Sequence, residues 1–183
     1  MKKTSVSLSL LAALSMTTLG VQASTGTITF QGELTDSTCD VDISGQGNNA
    51  TVMLPTVSIN QLTALNDTSG RTAFTMELSN CNIGAAGHST VSAFFQPGAT
   101  VDLVTGRLKN TGGNATNVDL QLLDASNSFA PIHIGDTSQV NGTAYVNISN
   151  GSAFLPYAVE YFALGQTTPG TVTSSVVYNL QYQ

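Results

Sequence analysis

The sequence predicts an all-β protein, and three observations lead to that fold class. Short apolar or alternating runs recur from GTITFQGEL, which starts at residue 26, to TVTSSVVYNLQYQ at the C-terminus. Clusters of turn-forming residues, such as SGQGNN, NDTSGR and TGGNAT, separate these runs. Charged residues are only 9% of the chain, so Thr, Ser, Asn and Gly fill most polar positions. Short strands with regular turn signals are typical of a β-sandwich or barrel, and this composition favours strands over helices.

Residues 1–23 have the pattern of a secretory signal peptide. Lys2 and Lys3 give a positive start, an apolar run follows over residues 6–14, and small residues surround the cleavage position after Ala23. The apolar run is too short to span a bilayer, and no later run is long and apolar enough to do so. A buried N-terminal helix is the alternative reading of these residues. We therefore predict export, a mature chain of residues 24–183 and no membrane insertion.

The mature chain is strongly acidic. Without Lys2 and Lys3, three basic residues remain against eleven acidic ones, so the formal net charge falls from −6 to −8. Nucleic acids and anionic lipid surfaces repel such a protein, and neither is expected as a partner. One domain is the natural count for this length.

The first strand candidate lies within residues 24–35, directly after the predicted cleavage position. Ile28, Phe30 and Leu34 alternate with polar residues, which is the period of a strand with one apolar face. Gly32 occupies the remaining position of that apolar row and leaves a gap in it.

The two cysteines, Cys39 and Cys81, stand on either side of the next strand candidates. An even number of cysteines in an exported chain indicates one disulfide, with two free buried thiols as the alternative. We expect the two Cα atoms to lie about 4.4–6.8 Å apart. The enclosed loop would contribute roughly 4 kcal/mol to stability through chain entropy.

Further strand candidates follow the first cysteine, at residues 40–44, 51–59, 72–81, 90–96, 116–124, 131–135, 143–149 and 154–165. Residues 59–65 are the one segment with the pattern for a turn or two of helix. The last strand begins after Pro169-Gly170, because such a pair starts a strand cleanly. Its apolar face has one parity, shared by Val172, Ser174, Val176, Tyr178, Leu180 and Tyr182.

Several motifs resemble metal-binding or catalytic sites, but each lacks a residue that the site requires. The stretch DVDISG copies the start of a calcium loop, but the position for the bidentate acid holds Thr51. His88 and His133 are the only histidines, too few for a zinc site once the cysteines are paired. No GxSxG context supports a catalytic triad. We predict no catalytic residues, no metal and no cofactor.

In combination, these segments resemble the chaperone–usher pilin family, in particular a type 1-like major fimbrial subunit. The resemblance rests on GTITFQGEL and DSTC before the first cysteine, a second cysteine about 40 residues later, and TNVDLQLLD in mid-chain. It is most specific at the C-terminus, YFALGQTTPGTVTSSVVYNLQYQ, with a penultimate tyrosine, Tyr182, and Gly170 fourteenth from the end.

The resemblance implies an incomplete immunoglobulin-like β-sandwich over residues 36–183, lacking its last strand. Residues 24–35 would be a donor-strand extension that fills the groove of another subunit, a known form of strand addition. Ile28, Phe30 and Leu34 would enter that groove, with Gly32 where the groove is too shallow for a side chain. The strand that borders the acceptor groove and binds the chaperone would include Gly170, Val172, Val176, Tyr178, Leu180 and Tyr182.

The implied partners are identical or related pilin subunits, a periplasmic pilus chaperone and an outer-membrane usher. The implied location is a cell-surface fimbrium, reached through the periplasm. The sequence thus predicts a structural subunit of an adhesive fimbria, not an enzyme. A minor adapter subunit is the nearest alternative. A carbohydrate-binding fimbrial domain is less favoured, because a tip lectin normally has a separate domain ahead of its pilin domain.

Overall fold

A computed structural model of the chain describes residues 26–183. The predicted signal peptide, residues 1–23, lies outside the described residues. Leu34–Gln183 forms one unit, and residues 26–33 belong to a separate one. No helix in the described part of the chain has the length and apolar character needed to cross a bilayer.

The regular secondary structure of the unit from Leu34 onward is almost all strand. In chain order these are β1 (Thr38–Ile43), β2 (Thr68–Asn82), β3 (Thr90–Phe95), β4 (Val101–Asp102), β5 (Arg107–Lys109), β6 (Val118–Asp124), β7 (Ala130–Pro131), β8 (Val146–Asn147), β9 (Ala153–Ala163) and β10 (Tyr178–Tyr182). A 3₁₀ turn spans Ile59–Gln61, and the short helix α1 spans Gln139–Gly142.

The strands form two sheets in which every pair is antiparallel. The larger sheet has the order β1-β2-β9-β6-β5-β4, with β7 paired to β6. The smaller sheet has the order β10-β3-β8, so β10 is one of its edges. In the ladder between β10 and β3, Tyr178 lies opposite Phe95 and Tyr182 opposite Val91.

The core consists of the inward rows of both sheets. Alternation along β2, β9 and β3 turns every second side chain inward, as the pleat requires. Tyr157 of β9 joins the two layers, with ring centroids 5.1 Å from Phe95 and 5.8 Å from Phe74. Its hydroxyl accepts a hydrogen bond from the backbone N–H of Ala93 at 3.3 Å. Burial raises the pKa of Tyr157 to about 12, so the hydroxyl remains neutral.

The predicted disulfide is confirmed. Cys39 and Cys81 are bonded, with Cα atoms 4.1 Å apart, slightly closer than the expected range. The short distance follows from their positions on adjacent antiparallel strands, β1 and β2, beside an irregularity in the ladder. Facing residues that do not exchange backbone hydrogen bonds lie about 4.5 Å apart at their Cα atoms.

Four of the predicted strands differ from the observed ones. Of the predicted strands at 131–135 and 143–149, only Pro131 in β7 and the two residues of β8 are assigned to strands. No strand is assigned over residues 51–59, although Val52 and Leu54 still pack against the core. The last strand was predicted from Val172 but is regular only from Tyr178. Residues 172–177 lie beside loops instead of a strand, as the bond from the Gln96 N–H to the Val177 carbonyl shows.

The shortest elements were not predicted. Strands β4 and β5 have two and three residues, and α1 has four. Such lengths are too short for a hydrophobic period to be readable. The predicted helical turn within residues 59–65 is present as the 3₁₀ turn, which covers only three residues.

Candidate functional site: the open edge of the sandwich

The last segment of the chain forms an incomplete edge. Strand β10 pairs with β3 on one side, and no described strand pairs with its other side. Exposure alternates along residues 171–180, so that every second side chain is partly buried. The predicted apolar row packs against the core, namely Val172, Val176, Tyr178, Leu180 and Tyr182. These side chains are half-buried because the sheet ends beside them.

A second segment, residues 48–57, forms the opposite border. Its residues make no backbone–backbone hydrogen bond with any other described residue. Val52 and Leu54 nevertheless face the core, while Met53 between them is 78% exposed. The segment therefore has the side-chain pattern of a strand without a backbone partner, an arrangement that invites strand addition.

The two borders run past each other in opposite directions. At one end, the Tyr178 hydroxyl donates to the Asn48 carbonyl at 2.9 Å. At the other end, Val57 and Val172 line one cavity of about 540 Å³, together with Thr56, Ile59, Leu62, Ala115, Val118, Tyr161, Thr167, Thr168, Pro169, Gly170, Thr171 and Thr173. We call the surface between residues 48–57 and 171–182 the groove, and this cavity its deep end.

Tyrosine hydroxyls tie the groove to the backbone around it. Besides the bond from Tyr178, the Tyr161 hydroxyl donates to the Pro55 carbonyl at 3.2 Å. Burial raises the pKa of Tyr161 and Tyr178, and also that of Tyr182, where a hydrogen bond with the Cys39 backbone opposes the shift. The hydroxyls therefore remain protonated at neutral pH and available as donors.

Two small residues on the last segment have specific surroundings. The Ser174 hydroxyl is buried without a hydrogen-bond partner among the described residues, between Val172 and Val176 on the apolar face. Gly170 lies against a neighbouring loop, because a Cβ there would come within 2.6 Å of the Ala115 nitrogen. Glycine at 170 is thus explained by a close backbone approach within this chain.

The N-terminal apolar row has a different environment. Ile28 is 78% exposed, Phe30 88% and Leu34 99%. No strand is assigned over residues 26–37. A Cβ at Gly32 would meet nothing within 4 Å. Nothing in the described chain therefore requires glycine at 32, in contrast to Gly170.

The residues considered for metal binding have structural partners instead. The Asp42 carboxylate accepts the Gly47 N–H at 3.1 Å, and Asp40 accepts the Asn80 amide at 2.8 Å. His133 lies 3.8 Å from Asp136, three residues along the chain. Within residues 26–183, no three His, Cys, Asp or Glu side chains are grouped closely enough to hold a metal ion.

Comparisons with known proteins agree on one family. A sequence model described as Type-1 fimbrial protein, A, matches residues 54–183. The Major fimbrial subunit SMF-1 of Stenotrophomonas maltophilia is 43% identical over 168 residues, 90% of this chain and 96% of that protein. The F17 fimbrial protein of Escherichia coli is 40% identical over 185 residues, 100% of both chains. The chain belongs to the type-1 fimbrial protein family.

A solved pilin structure supports the fold of this fimbrial subunit. The crystal structure of the P pilus rod subunit PapA matches with a TM-score of 0.60 at 22% identity, over 79% of this chain and 99% of that chain. At this identity the likeness concerns the fold, and it confirms the predicted all-β pilin sandwich. Family membership makes the chain a structural subunit of a cell-surface fimbrium that polymerises with related pilins.

Sequence reasoning missed two parts of the groove in this fimbrial subunit. The sequence predicts an ordinary strand over residues 51–59, and the role of residues 48–57 as a border depends on which segments they lack as neighbours. The stretch TGGNAT was recognised only as a turn, although its loop holds the start of the last segment. The paired glycines between two asparagines were the available signal, because such residues mark close backbone approaches.

Proposed function

We propose that this fimbrial subunit polymerises head to tail, the extension of one copy filling the groove of the next. The observation that carries the proposal is that one chain has both an exposed apolar row and a groove with an unpaired backbone edge, and these two features are complementary. The extension has an apolar row that its own chain leaves 78–99% exposed. The groove has two borders with an unpaired backbone edge between half-buried side chains.

The energetics favour such a match. Burying Ile28, Phe30 and Leu34 contributes roughly 5–9 kcal/mol gross, at about 1.5–3 kcal/mol for each side chain. Each backbone hydrogen bond that the added strand makes contributes about 0.5–1.5 kcal/mol net. Both contributions are gained only when a second copy is present, so the free energy drives association and not the folding of one chain.

We favour an arrangement antiparallel to the last segment, whose own pairing with β3 is antiparallel, and the donor then runs parallel to residues 48–57. It places Leu34 at the deep end, beside Val172, with Gly32 and Phe30 following toward Tyr178. A parallel arrangement would place Ile28 at the deep end instead. Cysteine pairs placed at 34 and 172, or at 28 and 172, distinguish the two by which pair forms an intermolecular disulfide.

The contact is open-ended, since donor and acceptor are different surfaces of one chain. Such heterologous contacts that do not close produce filaments. We also propose a route to the cell surface. The signal peptide is removed after Ala23, leaving the extension, residues 24–35, ahead of the pilin domain, residues 36–183. A periplasmic chaperone covers the groove by lending a strand, and an outer-membrane usher accepts the complex.

The proposed role is structural, without catalysis. Two of the few cations in the described chain lie beside carboxylates, Arg71 with Glu160 at 2.9 Å and Arg107 with Asp119 at 3.6 Å. A major shaft subunit is favoured over a minor adapter, because the relative with 43% identity is a major fimbrial subunit.

Electron microscopy of cells with and without the gene tests the proposal. Loss of the whole shaft is expected for a major subunit, and the intact gene supplied in trans should restore it. Shafts of normal number and length in its absence would identify a minor subunit. A matched strain that carries Phe30→Asp should lack shafts although the sandwich is intact, which ties the filament to the extension.

A further inference from the structure

The loop of residues 110–116, NTGGNAT, runs beside the start of the last segment at Thr171–Thr173. The Asn110 side chain joins the two. Its amide nitrogen donates to the Ala115 carbonyl at 2.9 Å and to the Thr171 carbonyl at 3.1 Å. Its amide oxygen accepts the N–H groups of Gly113 at 3.0 Å and Thr173 at 2.9 Å. One side chain thus satisfies backbone groups on both segments.

Asn114 and the loop backbone complete the connection. The Asn114 amide oxygen accepts the Thr171 N–H at 2.7 Å and the Thr171 hydroxyl at 3.1 Å. The N–H groups of Thr111 and Gly112 both donate to the Thr173 carbonyl at 3.1 Å. Amide side chains therefore supply part of the pairing that a neighbouring strand would supply to the last segment.

The loop also defines the wall of the deep end. Thr171 and Thr173 are exposed and bind the loop, while Val172 between them is partly buried, and all three line the cavity. Ala115 of the loop lines the same cavity. Position 113 has no space for a side chain, because a Cβ there would collide with the Thr171 carbonyl oxygen. The loop and the segment are thus held in contact directly beside the deep end.

We propose that Asn110 and Asn114 are positioning residues for donor-strand entry, holding the Thr171–Thr173 backbone so that the deep end is open before the donor arrives. This inference rests on the proposed function. A binding site that is formed in advance avoids the cost of ordering it during association. If only a fraction of the molecules has the site formed, the apparent affinity falls by that fraction.

The experiment measures how fast a donor peptide enters the groove. The acceptor is the mature chain, residues 24–183, with Phe30→Asp so that it cannot serve as a donor to other copies. The donor is a fluorescent peptide of residues 24–37, used in its natural form and with Leu34→Ala. Fluorescence anisotropy gives the association rate, and thermal unfolding of each acceptor gives its stability.

Asn114→Ala in the acceptor should slow entry of the natural peptide by about tenfold. The Leu34→Ala peptide leaves the deep end unfilled, so its slower entry should change by less than about twofold. Asn114→Asp keeps both accepted hydrogen bonds and should restore the parent rate. Asn147→Ala is the matched control, since it removes one turn bond, to the Ser149 N–H at 2.9 Å, from a strand away from the cavity.

The outcomes separate positioning from simple stability. Equal slowing of both peptides, in proportion to a lower unfolding midpoint, would show a purely structural role and overturn the inference. An unchanged or faster rate with the natural peptide would also overturn it. A faster rate would show that the contacts of the loop slow donor entry. If the parent acceptor takes up neither peptide, the proposed function itself is wrong, and the inference fails with it.

Discussion

Residues 28–34 and residues 172–182 have the same alternation of apolar and polar side chains, but their surroundings differ. In the first segment, Phe30 is 88% exposed and Leu34 99%. In the second, alternate side chains are half-buried against the core, and Tyr178–Tyr182 pairs with β3. Residues 178–182 thus have a backbone partner on one side, whereas residues 28–34 belong to no assigned strand.

The difference shows what alternation means physically. A period of two records that one face of a strand avoids water, but it does not specify which core receives that face. The apolar face of the last segment is half-buried within its own chain. The apolar face of residues 28–34 is exposed. We propose that the two incomplete segments complete each other between copies, and four sets of variants test that relation.

Phe30→Asp should have the largest effect on assembly and almost none on the lone chain. Burying an unpaired carboxylate in the groove costs several kcal/mol, so polymerisation should slow by at least about 100-fold. The unfolding midpoint should not change, because Phe30 is exposed in the lone chain. Thr29→Asp is the control on the polar face and should assemble nearly normally. Native gels of purified chaperone–subunit complexes measure the rate, and equal rates for Phe30→Asp and the parent would falsify the donor reading.

Replacing both cysteines by serine should destabilise the lone chain but leave the exposure of residues 26–34 unchanged, the reverse of the Phe30→Asp effect. Loss of the Cys39–Cys81 bond, which closes a separation of 42 residues, should lower the free energy of unfolding by about 4 kcal/mol. Cleavage of residues 26–34 by a protease should keep its rate, since their exposure does not depend on the bond. Denaturant unfolding and limited proteolysis provide the two measurements. A loss of less than about 1 kcal/mol would mean that the bond is not a structural constraint on the sandwich.

Gly32→Leu tests the gap in the apolar row. The lone chain has space for the new side chain, because no described residue lies within 4 Å of a Cβ at this position. Its unfolding midpoint should therefore be unchanged. Overpacking of the groove of the next copy should cost roughly 1–3 kcal/mol and slow assembly accordingly. Gln31→Leu places the same leucine side chain on the opposite face and is the control. If both variants assemble equally fast, position 32 does not enter a shallow site.

Tyr178→Phe should have the smallest effect. It removes the hydrogen bond to the Asn48 carbonyl across the groove and should lower the free energy of unfolding by about 0.5–1.5 kcal/mol. Tyr145→Phe removes a comparable bond to the Val140 carbonyl, at 2.9 Å, and should cost a similar amount. Only Tyr178→Phe should also change uptake of the donor peptide. Identical uptake by the two variants would show that the cross-groove bond does not shape the acceptor.

Much of the sandwich could be predicted from local pattern. The long strands β2, β6 and β9 coincide with predicted runs, because each has enough residues for its period to be read. The disulfide followed from an even number of cysteines in a chain with the pattern of export. Two- and three-residue strands such as β4 and β5 left no readable period.

The candidate site was predictable in part. The apolar parity of the last segment was correct from Val172 to Tyr182, although regular pairing begins only at Tyr178. The loop at 110–116 and the border at 48–57 were not identified as parts of the groove. Their roles arise from contacts between residues far apart in sequence, such as Asn114 with Thr171 and Asn48 with Tyr178.

Local sequence is sufficient to predict which residues form strands, which face of each strand is apolar and where the chain turns, because these features depend on neighbours along the backbone. The resemblance implied an open edge along the last strand, but the pairing of β10 with β3 alone, and the lack of a backbone partner for residues 48–57 among the described residues, became known from the tertiary structure. It also distinguished Gly170, which lies against Ala115, from Gly32, which lies against nothing within 4 Å. The physical reason is that sheet edges and close backbone approaches depend on which distant segments the topology brings together, and local periodicity carries no record of them.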